Sequence, residues 1–283
     1  MKPPPFDYAR PTTLPDALAL LAADEDAKVL AGGQSLVPMM NFRLARPSTL
    51  VDIAHLPGVV GLDLEGEVLV IGAATRQRAV ETSPLVARTC PLLADALRHV
   101  GHHQVRTRGT LGGSLAHADP AAEICAAALA LDAEVTATGP DGSRCVPAAE
   151  LFLAPYQTTL RPAEIITGTR WPMRPRAHHG FAEIAHRAGD FALAGLAAVV
   201  ELDGVEVTDV RLAGLGIAGV VRRLPEAEDV LRGRPLTTGS IQEAAEAAAE
   251  SVDPPQDVHA DPATRRAALR ASARRALELI PHG

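Results

Sequence analysis

The sequence predicts an α+β fold, with strands and helices gathered into separate runs rather than alternating throughout. Three observations predict it. The chain opens on a short strand–helix–strand pattern whose strand Lys28–Leu30 runs into the glycine pair Gly32-Gly33. Its middle mixes hairpin turns, at Glu65-Gly66 and Asp141-Gly142, with helix-spaced apolar residues. Its final part has apolar segments at 196–202, 205–212 and 215–220, a three-stranded antiparallel meander, followed by two helices.

Taken in order, Pro3-Pro4-Pro5 is extended because each ring fixes φ. Thr13-Leu14-Pro15-Asp16 has the cap, the early proline and the first-turn acid of a helix start, and the helix runs through Ala23. Lys28–Leu30 and Leu50–Ile53 are strands, and the first part closes at residue 57, before Gly58. In the middle part, 58–173, Val59–Leu64 and Val68–Ile71 form a hairpin around Glu65-Gly66. Leu92, Leu93, Leu97 and Val100 share a helical face that Gly101 ends. Ala121–Leu131 is an Ala-rich helix, Glu134–Thr138 a strand, and Ile165–Trp171 the closing strand. Pro172, Pro175 and the Arg174–Gly180 run mark a second boundary, leaving 174–283 as the last part. Its helices start at Ser240, with Glu243 in capping-box register, and at Asp261-Pro262, where Leu269, Ala273, Leu277 and Ile280 form the apolar stripe.

Composition limits the chemistry. At 283 residues the chain can bury substantial cores, but with 3% aromatics they must be built from Ala, Leu, Val and Ile. A net charge of −7 argues against a nucleic-acid surface. The cysteines Cys90, Cys125 and Cys145 are too scattered for a disulfide framework or a cysteine-ligated cluster, which points to a reducing cytoplasm. No secretory signal precedes Phe6, and no run of apolar residues is long enough to span a bilayer.

Two segments carry the functional signal: Leu30-Ala31-Gly32-Gly33-Gln34-Ser35-Leu36 and Gly109-Thr110-Leu111-Gly112-Gly113-Ser114. Paired glycines allow positive φ and leave N–H groups bare, so both read as loops that hold an anion, and together as a clamp for one diphosphate. Neither has the G-K-[ST] ending of a nucleoside-triphosphate loop, and neither is a G-x-G-x-x-G turn. His117, Asp119 and Glu123 could be drawn as a metal site, but the fixed helical spacing of a hydrolytic centre is missing, and no metal is expected. Ser35 and Ser114 lack a nucleophile-elbow context. Arg106 and Arg108 read as structural ion-pair donors. No catalytic acid or base is nominated; the chain looks like a cofactor holder.

The first segment, together with Arg108-Gly109-Thr110-Leu111-Gly112-Gly113-Ser114-Leu115-Ala116-His117-Ala118-Asp119-Pro120-Ala121-Ala122-Glu123, resembles the FAD-binding medium subunits of molybdenum hydroxylases, the xanthine dehydrogenase and aerobic carbon monoxide dehydrogenase family. The likeness continues through Leu160–Ile166, Arg187–Ala192 and Pro225–Glu228. It implies a two-part FAD-binding domain of the PCMH/VAO-like type, 1–57 and 58–173, followed by the sheet-plus-helices domain. It implies that Leu30, Ala31, Gly32, Gly33, Gln34, Ser35 and Leu36, with Thr110, Leu111, Gly112, Gly113 and Ser114, receive the FAD diphosphate. His117, Asp119 and Glu123 would lie on the cofactor as well, Glu123 toward ribose or adenine, and Ile165 or Ile166 beside the isoalloxazine. Ser114 and Thr107 stand where Asn is common, and His186-Arg187 where the family often has consecutive basic residues; charge there tunes a flavin's potential. The implied role is electron transfer from iron–sulfur clusters on a small partner subunit, fed by a molybdenum-cofactor large subunit, through FAD to an external acceptor. A stand-alone flavin oxidase and a non-catalytic scaffold are the alternatives.

Overall fold

The computed structural model describes residues 2–282. In chain order, β1 (Asp7–Ala9), α1 (Leu14–Ala23), β2 (Lys28–Leu30), α2 (Leu36–Asn41) and β3 (Thr49–Asp52) form a small layer whose sheet, ordered β1-β3-β2, is parallel. Thr13 caps α1 by accepting from the Asp16 amide, with Pro15 in the first turn.

The middle part comprises β4 (Leu62–Glu65), β5 (Val68–Gly72), α3 (Gln77–Glu81), α4 (Pro84–Thr89), α5 (Pro91–His99), α6 (His103–Arg108), α7 (Leu111–His117), α8 (Glu123–Ala130), β6 (Glu134–Gly139), β7 (Gly142–Pro147), α9 (Ala148–Leu151), β8 (Phe152–Ala154), β9 (Gln157–Thr158) and β10 (Ile165–Pro172). Its antiparallel sheet is ordered β4-β5-β10-β6-β7, with the closing strand β10 in the centre. Trp171 is fully buried there, and its indole N–H donates to Thr169 Oγ1 at 2.8 Å, which removes the cost of burying an unpaired donor.

The last part is β11 (Ala177–Ala185), β12 (Ala192–Asp203), β13 (Glu206–Leu215), β14 (Arg222–Arg223), α10 (Pro225–Leu231), α11 (Thr238–Glu250) and α12 (Pro262–Glu278). Three long antiparallel strands carry the sheet, and two-residue β14 extends its edge. The third expected strand, at 215–220, is instead the end of β13 and a turn; the missing long strand is β11, which begins inside the run taken for a boundary. Helix α11 is capped by Thr237 with Ser240 at the third position, not by Ser240 with Glu243.

Helix α8 holds the middle and last parts together. After Glu123 it is entirely apolar and Ala-rich, and every one of its residues is buried, as a helix with no polar face must be. One core cluster joins Ile124–Ala130 to Ala197, Val199, Ala213 and Leu215 of the C-terminal sheet, while α10, α11 and α12 cover that sheet's other face. With both faces covered, Ala192–Val200 is buried without interruption. A third core unites Ala17, Leu18, Val51 and Ile53 with Val59, Ala74 and Ile165 from the middle part.

Candidate cofactor-binding site

Strand β2 delivers the first glycine segment, and the two glycines in it do different work. Gly33 has φ +71°, the left-handed region that favours glycine. Gly32 is there for close approach: a Cβ on it would lie 2.5 Å from the Arg108 carbonyl oxygen and 2.8 Å from Gly109 Cα. The segment therefore sits directly on the backbone that enters the second motif. Gln34 donates to the Gly32 carbonyl at 3.3 Å, and Ser35 stands at the start of α2 without capping it. Gln34 is exposed, and Leu30, Ala31, Ser35 and Leu36 are half-buried around it.

The second motif is not a loop. Thr110 caps helix α7, accepting from the Gly113 amide at 3.2 Å, and Leu111, Gly112, Gly113 and Ser114 are helical. Neither glycine has positive φ. Gly112 is required by packing, since its Cβ would lie 2.5 Å from Ala73 Cβ. The Leu111 and Gly112 amides donate to the carbonyls of Thr75 and Ala73, at 3.1 and 2.8 Å, and the Ser114 amide donates to Thr110. The bare amides expected from this segment are thus already occupied, because the chain uses them to fasten α7 to the end of β5. A Cβ on Gly113 would lie 3.8 Å from Ala31 Cβ, so the two motifs form the walls of one seam.

Of the arginines nearby, Arg106 behaves as expected. It is bidentate to Glu81, at 2.9 and 3.2 Å, and holds the Val100 and Gly101 carbonyls. Arg108 is exposed and, among the described residues, pairs with no carboxylate. Sequence reasoning passed over Arg76, which lies in no motif. Its backbone bridges to Thr110, and its Nη1 donates to the same Arg108 carbonyl that Gly32 rests on. Burial, and then the Arg108 charge, lower its pKa, with Asp52 opposing.

The remaining expected residues lie deeper or to one side. His117 ends α7 against Tyr156, with ring centroids 5.1 Å apart, and burial lowers its pKa against the pull of Asp119. Asp119 accepts from the Ala121 amide at 2.8 Å. Glu123, at the start of α8, is only 7% exposed; burial, and then the Glu183 charge, push its pKa up to about 8. Ile165 and Ile166 are both buried, the first in the N-terminal core and the second in the middle core. His186 and Arg187 edge a separate cleft of about 530 Å³ between α5, α6 and the β11–β12 turn. Among the described residues, no group of His, Cys, Asp and Glu is placed to hold a metal ion, and no helix is long and apolar enough to cross a membrane.

The chain is similar to known proteins along its length. Residues 4–174 match the FAD binding domain in molybdopterin dehydrogenase, and residues 179–280 the CO dehydrogenase flavoprotein C-terminal domain. It is 41% identical over 277 residues to the nicotine 6-hydroxylase medium subunit of Paenarthrobacter nicotinovorans, covering 98% of both chains. It is 37% identical over 279 residues to the carbon monoxide dehydrogenase medium chain of Hydrogenophaga pseudoflava, covering 98% of this chain and 97% of that one. Among solved structures, quinoline 2-oxidoreductase from Pseudomonas putida 86 superposes with a TM-score of 0.95 at 35% identity, covering 98% of this chain and 97% of that one. Matched from end to end in sequence and in fold, the chain belongs to the FAD-binding medium subunits of the molybdenum hydroxylases, the family of carbon monoxide dehydrogenase and xanthine dehydrogenase.

Proposed function

We propose that this chain is the electron-transfer subunit of its complex. It receives electrons from iron–sulfur clusters on a small partner chain, downstream of a molybdenum-cofactor large chain, and delivers them through FAD to an external acceptor. The observation that carries this reading is the seam between the two glycine motifs, where Gly32 rests on the Arg108–Gly109 backbone and Ala31 faces Gly113. Such a seam is lined by small residues and bare backbone on one side and by Thr110 and half-buried Ser114 on the other, which suits a diphosphate.

Bound FAD supplies the one- and two-electron redox chemistry that the protein's own side chains lack. The residues proposed to hold it are Leu30–Leu36, chiefly through the Gly32–Ser35 backbone and the Gln34 and Ser35 side chains, with Ser114 adding a hydroxyl. His117 from α7, Asp119 from the loop after it and Glu123 from α8 back this wall, and Ile165 and Ile166 support it from β10. The proposed division of labour gives FAD to 1–57 and 58–173 together, leaving 174–283 to cover α8 and meet partner chains. We place the complex in a reducing cytoplasm, in keeping with the free thiols of Cys90, Cys125 and Cys145.

The test is anaerobic. Purified chain reconstituted with FAD should be bleached by the reduced partner subunits and not by small organic substrates alone. Bleaching by a substrate without partners would make it an oxidase, and a chain that takes up no flavin would end the redox reading altogether.

A further inference from the structure

We infer that Arg76, with Arg108 beside it, is the cationic half of the diphosphate seam. The inference rests on the FAD reading and assigns to the site two residues that the glycine motifs do not include.

The observations converge on one carbonyl. The Arg108 backbone oxygen is the atom that a Cβ on Gly32 would strike at 2.5 Å, and it is also the acceptor of Arg76 Nη1. The Arg76 guanidinium is therefore fixed at the mouth of the seam, within a residue's width of the first glycine turn. Its backbone is pinned as well, by the bridge to Thr110 and by its place at the start of α3. Around it the charges do not balance. Arg76 is half-buried beside a second arginine, and neither makes an ion pair with a carboxylate among the described residues. Asp52, whose charge reaches Arg76, makes no ion pair with it among the described residues and accepts the Tyr8 hydroxyl at 2.5 Å. Arg106, two residues before Arg108, shows what a structural arginine looks like in this fold: a bidentate carboxylate and two carbonyls.

Partly desolvating Arg76 beside a second cation, with the charge of Asp52 alone opposing, is unfavourable, and a doubly charged diphosphate removes the imbalance through charge-assisted hydrogen bonds. The need is sharpened by α7, whose first amides are spent on Ala73, Thr75 and Thr110 and leave little for an anion on that wall. Guanidinium groups suit the place because their planar donors match phosphate oxygens.

The test uses the full chain stripped of flavin and titrated with FAD, with ADP as a competitor that keeps the diphosphate and with riboflavin, which has no phosphate. Arg76→Gln should weaken FAD and ADP binding by roughly tenfold or more, leave riboflavin binding unchanged, and flatten the loss of FAD affinity with added salt. Arg108→Gln, whose side chain braces nothing, should do the same at an unchanged melting temperature. If Arg76→Gln fails to fold, Arg76→Lys, which keeps the charge but not the planar fork, must keep the salt dependence and lose affinity for FAD and ADP but not for riboflavin. FAD binding within twofold of wild type in both glutamine variants, or equal losses for riboflavin and FAD, would overturn the assignment. Wild-type chain that binds neither FAD nor ADP would overturn the FAD reading beneath it.

Discussion

At the scale of single residues, the glycines decide the site. Gly32→Ala would place a methyl carbon 2.5 Å from the Arg108 carbonyl and push the two motifs apart. We expect flavin content to fall by more than half in the purified variant, with a stability loss of about 1–3 kcal/mol by denaturant titration. Gly33→Asp adds a strained φ and a carboxylate on the turn proposed to hold the diphosphate, and should abolish flavin content while far-ultraviolet circular dichroism stays native; full occupancy would show that the turn holds something else. Both glycine pairs were legible in the sequence, and the positive φ expected of them holds at Gly33 but not at Gly32, Gly112 or Gly113. Gly33 answers to backbone conformation, whereas Gly32 and Gly112 answer to neighbours far away in the chain, Arg108 and Ala73. Arg76 gave no sequence signal for the same reason: its significance is a tertiary contact with the Arg108 carbonyl.

At the scale of elements, α8 shows both what a sequence reveals and what it hides. The alanine run announced a helix, and the structure shows it buried all round. That Glu123 would be carried inside with it, facing Glu183 from β11, Asp119 from the preceding loop and Arg106 from α6, depends on the packing of β11. Strand β11 escaped notice because Pro175 and the polar run Arg174–His179 look like a linker, although β12 pairs with the chain from Ala177 onward. Burial, with the Glu183 charge second, raises the Glu123 pKa from 4.5 to about 8, so between those values the folded state binds the extra proton. The favourable contribution is complete below the unfolded pKa and is lost as pH rises through about 8. Melting curves of flavin-free protein should therefore decline between pH 5 and 8 more steeply for wild type than for Glu123→Gln, and parallel curves would contradict it.

At the scale of the molecule, the three larger sheets are joined by shared cores, and Asp132 forms a charged junction between the middle and last parts. Asp132, in a left-handed turn after α8, meets Arg174 at 2.6 Å and Arg211 at 2.8 Å, with Arg223 at 3.7 Å. The carboxylate is 47% exposed, so solvent screens each contact, and Asp132→Ala should cost only about 1 kcal/mol in denaturant titration. A far larger loss would mean that the middle and last parts separate when the junction is cut. The overall α+β plan was readable because hydrophobic patterning and turns are local. The sharing of cores between parts was not, since nothing near Ile165 in sequence announces that its side chain belongs with Ala17 and Val51. Because Ile165 completes that N-terminal core, a ribosome will have extruded the entire first glycine segment long before the layer beneath it can close. Such non-local closure is slow and leaves apolar surface open in the meantime. On the proposed site, cofactor loading then follows synthesis of β10, and a truncated nascent chain ending before residue 165 would carry the motif without the core beneath it.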